Sequence, residues 1–213
     1  MLEDSPYLED IDAGRLRRAK ELSEIKSQLA VGESSPYGIQ SKAVIVLTYA
    51  HWEGFYNECA RAYIERLKSD KKKVGDVSWS LLAGVLRPEL QRLRDRNNSS
   101  DAELEFVDRL RDVLACDFAR FDVAVVSSRS NLDFDKLRHN FRVLGFDIER
   151  FQKWRLRIDK ELVGWRHSVA HGDNPDLSSL DMDKHVAFTQ ELLLALADVF
   201  QEAVEQLHVA EGS

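Results

Sequence analysis

The chain has 213 residues, of which 44% are hydrophobic and 31% charged, and its formal net charge is −7. This composition is ordinary for a globular protein and supplies a core without disulfides or a structural metal. The acidic balance disfavours a surface that is basic all over for nonspecific nucleic-acid binding, although it allows a local basic cleft.

Compartment is indicated by three features of the sequence. The first ten residues, MLEDSPYLED, are acidic where a signal peptide would be basic and then apolar. Purely apolar runs such as Ala43–Leu47 are too short to span a bilayer. Cys59 and Cys116 show no C-x-x-C spacing, which favours free thiols in a reducing compartment. We therefore expect a cytoplasmic protein with no membrane association.

Helical periodicity dominates the first third of the chain. A stripe of apolar residues predicts a helix over residues 8–30. That stripe comprises Leu16, Ala19, Leu22, Ile25 and Leu29. Gly32–Gly38 is predicted to be a turn, and a second helix is predicted over about Ser41–Lys68. Because its first half, AVIVLTYA, is apolar nearly all round, we expect it to be the central buried helix.

The middle of the chain is less regular. Val77–Leu86 and Pro88–Arg96 are predicted helices, and Ser100 with Glu103 fits a capping box that opens a helix to about Phe118. Phe121–Val126 is the one β-type run, either a strand or an extended connector. Ser130–Asp133 supplies turn and cap chemistry for a helix over Phe134–Leu144, which Gly145 closes.

A short helix is predicted after Asp147, and the last helix over about residues 181–208. Without an internal repeat or a long linker, these elements predict one all-α domain spanning residues 1–213. Its core would cover about residues 40–208, with the helix over residues 8–30 appended to it.

A helix over residues 159–171 carries the chemistry. Ile158, Leu162, Trp165 and Val169 recur at helical spacing, and Gly172 is a stop signal. Before that stop, the sequence places Arg166, His167 and His171 within six residues.

These three side chains suit RNA cleavage. Arg166 and His171 diverge by about 140° on an ideal helix, yet a long arginine and a frayed last turn can bring both to one groove. An imidazole can move the protons of the 2′-hydroxyl and the 5′-oxygen, and a guanidinium can stabilise the phosphorane. No metal and no cofactor is needed, because the nucleophile belongs to the substrate; DNA would be inert.

At these residues the chain resembles HEPN domains. Arg166–His171 matches their R-x4-H signature, with His167 as the polar residue after the arginine. Residues 49–55, 131–147 and 170–173 are similar to the prokaryotic MAE-like and RiboL-PSP-like branch. The similar blocks span roughly residues 40–205.

The resemblance implies an HEPN-like helical bundle with extra short helices between the core helix pairs, assembled as a homodimer whose two motifs face one cleft. It also implies a metal-independent endoribonuclease that acts on RNA as a toxin or phage-defence effector, with a cognate antitoxin or defence-system partner. By position, Arg166 and His171 are catalytic, His167 supports them, and Glu53 orients the arginine.

The sequence leaves four alternatives open. The domain could be a noncatalytic dimeric module that binds a nucleotide or RNA, or an antitoxin-like structural partner. His167 and His171 could form half of a metal site with Asp173. His51 and Glu53 could be a satisfied core pair without a catalytic part.

Overall fold

The computed structural model describes residues 5–29, 37–129 and 131–211, and within these ranges the fold is all-α. The helices are α1 (Ser5–Leu29), α2 (Ile39–Ser69), α3 (Trp79–Val85), α4 (Arg87–Asp95), α5 (Ser100–Ala115), α6 (Phe134–Leu144), α7 (Glu149–Gln152), α8 (Arg155–Arg157), α9 (Trp165–Ala170) and α10 (Met182–Glu211). Single 3₁₀ turns cover Val74–Asp76, Phe118–Arg120 and Val123–Val125, and a π-helical turn covers Ile158–Gly164. Most of the turn predicted over Gly32–Gly38, and Ser130, lie outside the described residues.

Three long helices, α1, α2 and α10, pack against one another, and α9 packs on α2. Buried aromatic rings of α2 and α10 form the centre, where Tyr56 and Tyr63 meet Phe200 edge-on. None of the described helices has the length and apolar composition needed to cross a bilayer.

The prediction of the apolar stripe on α1 is wrong in one respect. Leu16 is 57% exposed, whereas Arg18 is 7% exposed and points into the α1–α2 interface. Arg18 forms two hydrogen bonds with the Glu58 carboxylate, at 2.6 and 2.8 Å. Gly14 allows this approach, because a Cβ there would lie 3.0 Å from Glu58 Oε2. A partly buried ion pair thus takes a position that hydrophobic periodicity assigns to an apolar side chain.

Burial along the first half of α2 also differs from the prediction. Val44, Ile45, Thr48 and Tyr49 are buried. The opposite side is exposed and consists of Ile39, Ala43, Val46, Leu47 and Ala50. The helix is therefore buried on one face only, and its other face is an uncovered apolar stripe in the described chain.

The connection between α5 and α6 contains no strand in its described residues. Phe121 and Val126 are buried and lie among 3₁₀ turns, so Phe121–Val126 is a connector and its apolar residues reflect burial. The capping prediction for α5 is displaced by one residue. Ser99, with extended backbone, accepts a hydrogen bond from Ala102 N–H at 3.4 Å, while Ser100 is already helical.

Helix α6 matches its predicted bounds. Asp133 caps it by accepting a hydrogen bond from Lys136 N–H at 2.7 Å, and Gly145 ends it with a φ of 80°. The helix predicted over residues 159–171 is only partly regular, since its first half is the π-helical turn and its second half is α9.

His185 yields a pH prediction. It is 2% exposed, and its Nε2 lies 3.0 Å from Thr48 Oγ1. Burial, with a smaller contribution from the charge of Arg157, lowers the pKa of His185 to about 4. In the unfolded chain His185 binds a proton near pH 6.5, whereas in the folded chain it binds one only near pH 4. Stability therefore falls as the pH drops from about 6.5 to about 4, by up to ~3 kcal/mol.

Urea unfolding measured across this pH range checks the prediction. His185→Gln should flatten this part of the pH dependence, whereas His139→Gln, at an exposed histidine, should leave it unchanged. Identical slopes for wild type and His185→Gln would contradict it.

Candidate functional site

The Arg166 side chain is held between α2 and the connection that precedes α6. Its Cζ lies 4.5 Å from the centroid of the Tyr49 ring, a cation–π contact. Its Nη1 donates a hydrogen bond to Asn131 Oδ1 at 3.3 Å. The next-door Trp165 is buried with Ile45 and Leu177, which anchors α9 against α2. The guanidinium is thus positioned on two sides and remains partly exposed.

Tyr49 links Arg166 to Glu53. Burial raises the pKa of Tyr49 well above its ordinary value, and its hydrogen bond with the Glu53 carboxylate contributes in the same direction. The phenol therefore stays protonated, and its oxygen also accepts a hydrogen bond from Leu132 N–H at 2.9 Å. Glu53 Oε1 accepts a second hydrogen bond from Ser128 Oγ at 2.5 Å. Glu53 and Arg166 therefore both contact Tyr49, and the described contacts include no direct ion pair between them.

The connection that carries Ser128 and Asn131 is held by three further groups. Asn57 exchanges two hydrogen bonds with the Ser128 backbone, at 2.8 and 3.0 Å. Trp52 Nε1 donates to the Leu132 carbonyl at 2.9 Å. Asp159, in the π-helical turn, accepts a hydrogen bond from Phe134 N–H at 2.8 Å. The backbone beside Arg166 is therefore tied to both α2 and the helical segment made of the π-helical turn and α9. We call this segment the motif helix.

His167 and His171 lie at the exposed end of the motif helix. Their ring centroids are 4.4 Å apart with the planes inclined by 51°. Gly172 has a φ of 79°, and Asp173 N–H donates to the Ser168 carbonyl at 2.9 Å. This is a Schellman ending, so the predicted stop at Gly172 is confirmed. Across the described ranges, no cluster of three or more His, Cys, Asp or Glu side chains is arranged to hold a metal.

The site residues predicted from sequence thus fall into two groups. Arg166 and Glu53 both contact Tyr49, by a cation–π contact and a hydrogen bond. The rings of His167 and His171 contact each other. In the described part of one protomer, no hydrogen bond or ring contact connects Arg166 with His171.

His51 and Glu53 do not form the pair considered from the sequence. His51 Nε2 lies 3.6 Å from Glu21 Oε2 of α1, while Glu53 contacts Ser128 and Tyr49. Burial lowers the pKa of His51, and the charge of Glu21 opposes that shift. The two polar groups on α2 therefore face different neighbours.

Sequence reasoning missed Tyr49, Ser128 and Asn131 as parts of the site. Tyr49 had a usable signal, because it precedes Glu53 by four residues and so shares its helix face. Asn131 begins the block of residues 131–147 that resembles the family, but Ser128 had no signal, since an irregular connection gives no periodicity from which a contact could be inferred.

A model of the RiboL-PSP-HEPN family matches residues 15–202. The matched range begins within α1 and includes every residue of the site. No curated protein and no solved structure matches the chain. HEPN domains are often ribonucleases, and the match indicates a nuclease or other RNA-related function. The arrangement of Arg166, Tyr49 and Glu53 on packed helices is therefore found in a chain that belongs to the RiboL-PSP-HEPN family.

Proposed function

We propose that this protein is a metal-independent endoribonuclease that acts in the cytoplasm as a toxin or phage-defence effector. The observation that carries the proposal is the bracing of Arg166 by Tyr49 and Asn131, on a helix that ends in the exposed imidazole of His171. A guanidinium held in advance at one place stabilises a developing phosphorane without reorganising during the reaction.

The chemistry requires two proton transfers and one displacement. A 2′-hydroxyl loses its proton and attacks the adjacent phosphorus, so that the 2′-oxygen–phosphorus bond forms and the bond to the 5′-oxygen breaks. The His171 imidazole takes the 2′-hydroxyl proton and passes a proton to the departing 5′-oxygen, and Arg166 stabilises the added negative charge on the phosphoryl oxygens. His167 supports His171 by ring contact. The products are a 2′,3′-cyclic phosphate and a 5′-hydroxyl.

Purified protein incubated with RNA in excess EDTA tests this function. We expect cleavage, cyclic-phosphate ends on the upstream fragments and no cleavage of DNA. Retention of RNA without any cut across several RNA classes would instead support a noncatalytic RNA-binding module.

We further propose a homodimer in which two copies of the motif share one cleft. One support is the uncovered apolar stripe of α2, where Ile39 is 87% exposed and Val46 is 38% exposed. This stripe continues along the same helix to Glu53, so that burying it would bring two sites together. The other support is the separation of Arg166 from His171 within one protomer, which a second copy would compensate.

Mixed dimers test this arrangement. A dimer of one Arg166→Ala copy and one His171→Ala copy retains one intact site if each site takes its arginine and histidine from different copies. We expect such mixtures to recover activity that neither parent shows. A monomer in sedimentation at working concentration would refute the dimer.

Tyr49→Phe probes the positioning of Arg166. Removing the phenol oxygen leaves the Leu132 N–H and the Glu53 carboxylate without this partner, while the ring under Arg166 is kept. We expect kcat for RNA cleavage to fall about tenfold, because a misplaced charge stabilises the transition state less, with little change in KM.

Tyr63→Phe is the matched control, since Tyr63 is a second buried tyrosine on α2 and packs against Phe146 and Phe200. Both variants are assayed at a temperature where they are fully folded. Equal kcat values for the two variants would show that the Tyr49 hydroxyl does not position Arg166.

A further inference from the structure

A second feature of the fold lies beside the site. A groove of about 680 Å³ runs between α4 and α6, with the connection before α6 as its floor. Arg87, Leu90 and Arg94 of α4 line one wall at helical spacing, and Lys136 and His139 of α6 line the other. Each helix therefore directs one continuous face into the groove.

The lining is basic although the whole chain is acidic. Four cations contribute to it: Arg87, Arg94, Arg129 and Lys136. Among the described residues that line the groove, none is Asp or Glu. The ion pairs formed within the described ranges involve none of these four side chains, so their charge is not neutralised internally.

Arg92 of α4 and Arg96, the residue directly after α4, show the contrast. Arg92 Nη1 lies 2.6 Å from Glu89, and Arg96 Nη1 lies 2.6 Å from Glu105 of α5. On one helix, therefore, one face has its charges paired with carboxylates, and the other face presents unpaired guanidinium groups to a concave surface. An unpaired row of this kind is an electrostatic footprint for a polyanion.

The groove leads to the candidate site. Ser128 and Asn131 line it, and these are the residues that contact Glu53 and Arg166. A strand lying along the groove would thus reach the Arg166 guanidinium at Asn131.

We propose that this groove binds the phosphate backbone of single-stranded RNA and guides it to Arg166. The inference rests on the endoribonuclease function proposed above and assigns the substrate's binding path. Guanidinium and ammonium groups along two helix faces contact successive phosphates of a flexible strand, and affinity gained this way is sequence-tolerant and salt-dependent.

Binding is measured separately from cleavage. A fluorescent single-stranded RNA of about 12 nucleotides, 2′-O-methylated throughout so that it cannot be cut, is titrated with the dimeric or monomeric protein as purified. The titration is repeated from about 50 to about 200 mM salt. Arg87→Gln/Arg94→Gln is compared with Arg92→Gln/Arg96→Gln, which removes the same amount of charge from the paired arginines of α4 and its C-cap.

We expect the groove variant to bind at least about tenfold more weakly and to lower the slope of log K against log salt by about 1.4, or ~0.7 for each lost contact. The control should bind like the wild type. Equal weakening by both variants, or none by the groove variant, would overturn the proposal. RNA bound through the groove by a wild-type protein that never cuts it would refute the ribonuclease function and leave the groove assignment standing.

Discussion

Replacing Arg166 or His171 by alanine should nearly abolish RNA cleavage while leaving the fold intact. In the proposed mechanism, Arg166→Ala removes the charge that stabilises the phosphorane, and His171→Ala removes the proton-transfer group. We expect each to lower kcat/KM by about 10²–10⁴-fold. Because His171 is exposed and Arg166 only partly buried, unfolding temperatures should change little. Single-turnover cleavage of a mapped RNA site measures the effect.

The double variant sharpens this test. Groups that act on the same transition state are strongly non-additive, so Arg166→Ala/His171→Ala should be little slower than the worse single variant. Arg138→Ala, at an exposed arginine paired with Asp135 at 3.0 Å, is the charge-matched control and should cleave normally. Normal cleavage by His171→Ala combined with loss of RNA binding by Arg166→Ala would support a noncatalytic binder instead.

Trp52→Ala should cause the largest loss of stability. Trp52 is fully buried, packs 6.3 Å from the ring of Phe151, and donates its indole N–H to the Leu132 carbonyl. Truncation leaves a cavity and a carbonyl without that partner, at a cost of about 3–5 kcal/mol. It also loosens the connection that carries Asn131. Urea unfolding of the two proteins at one pH measures the difference.

Trp79→Ala provides the comparison, because Trp79 is 78% exposed. Its stability should stay within about 0.5 kcal/mol of the wild type. If Trp52→Ala were equally mild, the indole would not be holding the site connection in place.

Several features of the fold follow from short-range sequence patterns. Asp133 and Gly145 bracket α6 at its predicted bounds, and Gly172 ends the motif helix as predicted. The face formed by Ile158, Leu162 and neighbouring residues is buried. Caps and periodicity depend on residues within a few positions of one another, so one sequence suffices to recognise them.

Other features depend on tertiary contacts and were not predictable in this way. The buried Arg18 guanidinium donates two hydrogen bonds to Glu58, forty positions away in the sequence. The π-helical turn places Asp159 at the start of α6, which helical periodicity cannot anticipate. In the site, Asn131 contacts Arg166 although the two residues lie 35 positions apart in the sequence. The sequence therefore predicted Arg166, His171 and Glu53 as site residues, but not the contacts through Tyr49 and Asn131 that hold Arg166 in place.

A single atomic change in the substrate tests most directly whether the 2′-hydroxyl of the RNA is the nucleophile. Once a cleavage site is mapped on an RNA, the 2′-hydroxyl at that position alone is replaced by hydrogen, and cleavage is measured in EDTA. We expect cutting to stop at that phosphodiester and to continue at neighbouring sites with cyclic-phosphate ends. Undiminished cutting at the 2′-deoxy position would contradict it, because the nucleophile would then come from somewhere other than the RNA.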